Sequence, residues 1–256
     1  MINSKIHMTD KKGFDISSAT LHILAMGLML MDHLWATLLP GQEWMTCVGR
    51  IAYPIFAFMA VEGYFHTHSF KKYALRLLLF AVLSKIPFDL MYGGMMFYPF
   101  HQNVIWTLLL GLTGIHLMEK AKNRQKTWVY VVVAVVVTAV WTLLGTICMV
   151  DYYGAGILTI FTFYFFRGRT WWCFLGQLAA LYWINVEMLG GLMYPIEVFG
   201  MEFELCQQGL ALLALLPIWL YRGRLGYHSK TFQRICYGFY PAHMLILALL
   251  LMYVNR

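Results

Sequence analysis

Charge is what this 256-residue chain lacks. Asp, Glu, Lys and Arg make up 12% of it, against about 25% in soluble domains. That is too few to coat a globule in water. With 61% hydrophobic residues and a mean hydropathy of +0.64, a soluble domain is excluded. Cysteine is sparse too. Cys47, Cys148, Cys173, Cys206 and Cys236 form no C-x-x-C pair and read mostly as small apolar helix residues. No Cys/His metal spacing is present, and no Gly-rich phosphate loop of the Walker type occurs. A Ser-centred triad has no candidate beyond Ser84. The first fifteen residues hold no apolar run, so no cleavable signal peptide is expected. No internal repeat is found, and with it the inverted-repeat signature of many transporters is missing.

What the chain does have is long apolar runs. A hydrocarbon core about 30 Å thick takes about 20 apolar residues per helix. On that scale spans fall near 17–39, 45–66, 72–92, 102–118, 127–147, 151–166, 171–191, 206–221 and 234–254. Pro40-Gly41, Gly93-Gly94, Pro99 and Gly168 mark several of the breaks. The expectation is an all-α, polytopic bundle of about nine transmembrane helices in a single integral-membrane domain. The run Val129 to Val140 is almost wholly Val, Ala and Thr, as in a lipid-facing wall.

Basic residues orient the bundle. Lysine and arginine in short loops are retained on the cytoplasmic side. Sixteen of the nineteen lie before the first span or in even-numbered connections. They are Lys5, Lys11 and Lys12, then Lys71, Lys72 and Arg76, then Lys120, Lys122, Arg124 and Lys126, then Arg167 and Arg169, and last Arg222, Arg224, Lys230 and Arg234. Odd-numbered connections carry Glu43, Asp151, Glu197, Glu202 and Glu204 instead. This alternation predicts a cytoplasmic amino terminus, Arg256 outside, and an inner or plasma membrane location. Merging the fifth and sixth spans would reverse the later loops and spoil the pattern. The net charge of +7 is accounted for by these scattered loops rather than by nucleic-acid binding.

The functional signal is the set of polar residues within apolar spans, because ionisable groups in a bilayer are costly and functional by default. Asp32, His33, Arg50, Lys85, Asp89, Gln102 and Asn103 all fall in the outer half of the first four spans. His101 opens span four, Glu62 lies toward the cytoplasmic end of span two, and Tyr240-Pro241-Ala242-His243 sits near mid-depth in span nine. Each has a plainer reading. Asp32 with Arg50, or Lys85 with Asp89 one turn on, can be stapling pairs. Asn103 suits a helix cap. His33 or His243 can be an interhelical hydrogen-bonding residue. Together they describe a polar chamber. A histidine beside an acid, with buried cations and carboxamides, suits acyl transfer. The imidazole takes the proton of an attacking amine or hydroxyl, and Arg, Lys or a carboxamide stabilises the oxyanion.

Met31-Asp32-His33, the run Gly49-Arg50-Ile51-Ala52-Tyr53-Pro54-Ile55-Phe56-Ala57-Phe58 through Glu62-Gly63-Tyr64, Lys71-Lys72-Tyr73, Pro87-Phe88-Asp89, Gln102-Asn103 and Phe239-Tyr240-Pro241-Ala242-His243 resemble the TraX family. Residues about 127–205 carry little of the likeness. The best-known member of that family acetylates the amino terminus of pilin at the inner membrane. The resemblance implies a multi-pass acetyltransferase that uses acetyl-CoA, needs no metal, and modifies an amine or hydroxyl acceptor on the outer side. On that view His33, His243, Asp32 and Arg50 carry the chemistry, with Asp32 or Asp89 orienting an imidazole or receiving the acceptor's ammonium. Glu62, Lys85, Asp89, Gln102, Asn103 and Tyr240 meet substrate, and Lys71, Lys72 and Arg76 hold the phosphates of CoA. Lys85 departs from the family, which usually has an acidic residue there. Two other classes use the same residues differently: a proton-coupled carrier or flippase, and a non-catalytic scaffold. Within the enzyme class, O-acetylation of a surface glycan is the runner-up.

Overall fold

The computed structural model describes residues 15–198, 200–227 and 229–254. Lys5, Lys11, Lys12 and Arg256, which belong to the charge alternation, lie outside the described residues, as does His228. The described chain is nearly all helix. In order come α1 (Ser18–Thr37), α2 (Glu43–Gly49), α3 (Ala52–His66), α4 (Phe70–Leu83), α5 (Lys85–Gly93), α6 (Val104–Arg124), α7 (Thr127–Ile147), α8 (Tyr153–Phe165) and α9 (Trp171–Tyr182). A π-helical turn (Trp183–Leu189), strands β1 (Met193–Val198) and β2 (Met201–Cys206), a 3-10 segment (Gln208–Ala214), α10 (Leu215–Leu220) and α11 (Lys230–Val254) complete it.

Five of these stretches are long and apolar enough to cross a bilayer: Ser18–Thr37, Glu43–His66, Val104–Arg124, Thr127–Ile147 and Lys230–Val254. The remaining expected spans are shorter or broken, and proline explains two of the breaks. Pro87 is the third residue of α5 and cannot donate to the carbonyl of Leu83, so the expected span 72–92 divides at Ser84. Pro217, third in α10, likewise separates that helix from the 3-10 segment. Pro54 does the same inside the second span: it has no N–H to donate to the Arg50 carbonyl, and the helix breaks at Arg50-Ile51. The antiparallel ribbon β1–β2, with Met193 opposite Cys206 and Glu197 opposite Glu202, was not anticipated. It occupies what composition suggested was an acidic loop.

α3 and α8 form the centre. Nearly every residue of α8 from Gly154 to Tyr164 is buried, while α7 packs on α6 and α8 and leaves Val131, Val132, Val135, Val136 and Leu143 exposed. Without a hydrophobic drive in lipid, helices close on small residues. A methyl at Gly111 would come within 2.5 Å of Ile160, and one at Gly114 within 2.6 Å of Phe161. Those contacts seat α8 against α6.

Contacts between connections tie segments together at two ends of the bundle. At one end Arg167, after α8, pairs with Glu62 of α3 at 2.7 Å. There too Arg224 pairs with Asp15 before α1 at 3.0 Å. At the other end Tyr194 of β1 donates to Glu43 of α2 at 3.0 Å, and the Gln102 amide donates to the Met149 carbonyl at 2.8 Å.

Candidate active site

Among the described residues, two of the cavities bear on the candidate side chains. The wider, about 580 Å³, is lined by Ser18 and His22 from the start of α1, Glu62 and His66 from the end of α3, Arg76 of α4 and Gln233 of α11. It therefore belongs to the basic end. The narrower, about 370 Å³, is lined at the other end by Asp32, His33, Arg50, Tyr92, His101 and Asp151 among others. Met29, Phe56, Val104 and Tyr240 line both, so a septum of four side chains divides them.

His33 and His243, from α1 and α11, meet beside this septum. Both are buried, and Nδ1 of His33 lies 2.7 Å from Nε2 of His243. Nδ1 of His243 lies 2.7 Å from the carbonyl oxygen of Phe239. A carbonyl only accepts, so that nitrogen carries the hydrogen, and Nε2 of neutral His243 is an acceptor. His33 therefore donates from Nδ1 and keeps the lone pair on Nε2. Phe239 stacks on His243 with centroids 4.6 Å apart, which holds the second ring in place. Two histidines from opposite ends of the chain thus make one hydrogen-bonded unit with a single open basic nitrogen.

Asp32 does not serve His33. Its carboxylate pairs with Arg50, as expected for neighbours about 100° apart on a helix. Gly49 makes room: any side chain there would collide with Asp32. Arg50 sits in the break before α3 and also donates from Nε to the Thr46 carbonyl at 3.3 Å and from Nη2 to the Thr46 hydroxyl at 3.2 Å. The guanidinium is thereby fixed at the wall of the narrow cavity.

Several candidate residues lie elsewhere. Lys85 binds Asp89 at 2.8 Å and the His101 carbonyl at 2.7 Å, and Asp89 accepts from the Tyr98 amide at 2.8 Å. The pair staples the loop between α5 and α6 and lines neither cavity. Asn103 caps α6 through the Ile105 amide and donates to the Ala81 carbonyl at 2.8 Å. Gln102 donates to the Pro99 carbonyl at 2.7 Å. Glu62 and Arg76 line the wide cavity with Tyr240, whereas Lys71 and Lys72 are exposed on the first turn of α4 outside it. Among the described residues no three His, Cys, Asp or Glu side chains gather as metal ligands.

The structure also brings in residues that sequence reasoning passed over. Asp151 and Tyr152 reach the narrow cavity from the turn before α8, and Leu189, Gly190, Gly191, Gln207 and Gln208 close its far side. This wall is irregular backbone: the end of the π-helix, Gly190 at φ 59°, and Tyr152 and Tyr153 at φ 60° and 49°. Irregular backbone is tolerated within a membrane where it lines a cavity, and non-glycine residues at positive φ collect at functional sites. The Gly190-Gly191 and Gln207-Gln208 doublets at span ends were the available signals.

A family model described as "TraX protein" matches residues 17–251. The chain belongs to the TraX family. The matched stretch includes every residue of the histidine unit and of both cavities, and so also the 127–205 region that looked unlike the family. This TraX chain is 31% identical over 115 residues to a "Probable fimbrial assembly protein FimC, serogroup H1" of Dichelobacter nodosus; that covers 41% of this chain and 47% of the relative. The match thus spans about half the length of that relative. No solved structure matches this TraX chain.

Proposed function

We propose that the protein is a membrane-embedded acetyltransferase that moves an acetyl group from cytosolic acetyl-CoA to an amine at the outer side of the membrane. The observation that carries this is the buried His33–His243 unit, whose His33 lines the narrow cavity across a four-residue septum from the wide one. The nine-span arrangement with a cytoplasmic amino terminus, in an inner or plasma membrane, belongs to the same proposal. It rests on the charge alternation and puts the wide cavity on the cytosolic side. Acetyl-CoA is polar and stays on that side. Arg76 holds its phosphates at the cavity, with Lys71 and Lys72 adding positive potential from the surface, while the pantetheine arm reaches Tyr240. The acceptor enters the narrow cavity.

The step then balances without a metal. Nε2 of His33 takes the proton of the amine as its nitrogen attacks the thioester carbon. The developing oxyanion is stabilised by Arg50, whose charge is already oriented by Asp32 and Thr46. The C–S bond breaks, CoA leaves as thiolate, and the proton on His33 returns to it. His243 shares the imidazolium's charge through the bond to Nδ1. Kinship to a fimbrial assembly protein and the pilin-acetylating member of the family both favour an amine over a glycan hydroxyl.

Purified protein given acetyl-CoA labelled in its acetyl group and a small amine should release CoA and label the amine. In His33→Ala both should fall by roughly 10²–10⁴-fold while the gel-filtration profile is kept. A His33→Ala/His243→Ala double variant that remains fully active would remove the histidine unit from the mechanism. Two cavities facing opposite ends also suit a proton-coupled carrier; solute uptake into sealed vesicles without CoA, lost in the same variants, would establish that instead.

A further inference from the structure

Among the described residues three aspartates lie at the end of the bundle that holds the narrow cavity and its adjoining loop: Asp32, Asp89 and Asp151. Two are spoken for. Asp32 is bound to Arg50, and Asp89 is almost wholly buried between Lys85 and the Tyr98 amide. Asp151 is different. Its backbone carbonyl accepts from the Thr107 hydroxyl at 2.7 Å, and the amide of Gln102 anchors the preceding turn, so its position is set from α6. Its carboxylate faces the cavity, and the nearest basic atom among the described residues is Nε2 of His101 at 3.6 Å, beyond hydrogen-bond reach. Around it stand aromatic faces: Tyr152 stacked on Tyr53 with centroids 4.3 Å apart, and Tyr92 on the same lining. A carboxylate with an open valence among aromatic rings suits a cation, which gains from both.

We infer that Asp151 is the residue that selects the acceptor, binding a protonated primary amine at its carboxylate and discriminating against a neutral hydroxyl of the same shape. The inference rests on the acetyltransferase reading for its kinetics but not for its binding. Asp151 supplies no step of the chemistry. It receives the ammonium from water and holds it in the cavity that His33 lines; one ammonium proton returns to water, which frees the nitrogen lone pair, and His33 takes the second as that nitrogen attacks.

Glycinamide and glycolamide are the probes, because they differ by an ammonium in place of a hydroxyl. With Asp151→Asn the KM for glycinamide should rise at least ten-fold. The KM for acetyl-CoA should stay within two-fold, acetylation of glycolamide should be unchanged, and Asp151→Glu should recover part of the loss. An unchanged glycinamide KM, or equal loss of both acceptors, overturns the assignment while leaving acetyl transfer intact. If the wild-type protein transfers no acetyl group at all, the same comparison is made on thermal stabilisation of detergent-solubilised protein by each probe. Stabilisation by glycinamide but not glycolamide, lost in Asp151→Asn, upholds the assignment. Its persistence in that variant, or its absence from the wild type, overturns it.

Discussion

Asp32–Arg50 and Lys85–Asp89 are chemically alike, each a carboxylate and a base beside a helix break that a proline imposes, and at the same end of the bundle. Their work differs. In the first pair the side chains keep 20% and 14% of their surface exposed, toward a cavity, and the guanidinium has further donors in play. In the second the figures are 12% and 1%, the ammonium also binds the Tyr98 and His101 carbonyls, and the carboxylate also accepts from the Tyr98 amide. Two ion pairs of similar chemistry can thus face a cavity or staple a loop. What separates them is whether any charge or donor remains directed at empty space.

The sharpest way to break this contrast begins outside both pairs, with the base they flank. His33→Ala should lower acetyl transfer by roughly 10²–10⁴-fold, the usual worth of a general base, with little change in thermal unfolding. Next in size is the staple: Lys85→Met leaves Asp89 buried and uncompensated and should cost about 3–5 kcal/mol of stability, read as a lower unfolding temperature in detergent. Lys85→Met/Asp89→Asn should recover most of it, since the amide oxygen can still accept from Tyr98. Loss of acetyl transfer in that recovered double variant would move the staple into the site. For the cavity pair the balance is reversed. Arg50→Gln should reduce the rate by roughly 10²–10³-fold through loss of an oxyanion donor, yet lower stability less than Lys85→Met does, because its partner is reached by water. The smallest effect is expected at the loop's far end, where Asn103→Ala removes a cap worth about 1 kcal/mol and should leave the acceptor KM unchanged.

Residue chemistry was legible in the sequence to different depths. Asp32, His33, Arg50 and His243 stood out because ionisable groups in apolar runs have no cheap reason to be there. Lys85 and Asp89 stood out for the same reason and turned out to hold a loop, since charge within a span reports that something compensates it and not what. Asp151 was visible only as one acid among several in the outer connections. Nothing local showed that the turn before α8 bends it back into a cavity. Gly190-Gly191 and Gln207-Gln208 gave only a weak signal, because such doublets are ordinary at the ends of helices.

Composition and the placement of lysine and arginine determined by themselves that this chain is a bundle of apolar helices, because the bilayer imposes both hydrophobic length and the siting of positive charge. The order of proline in Ala52-Tyr53-Pro54 and Lys85-Ile86-Pro87 likewise determined two of its breaks, since a missing N–H acts over four residues. Only the tertiary structure decided that residues 33 and 243 share a hydrogen bond, which nitrogen is left free, and which of three aspartates keeps an open valence. Such facts depend on distances between segments far apart in the chain, and no local pattern of residues encodes them.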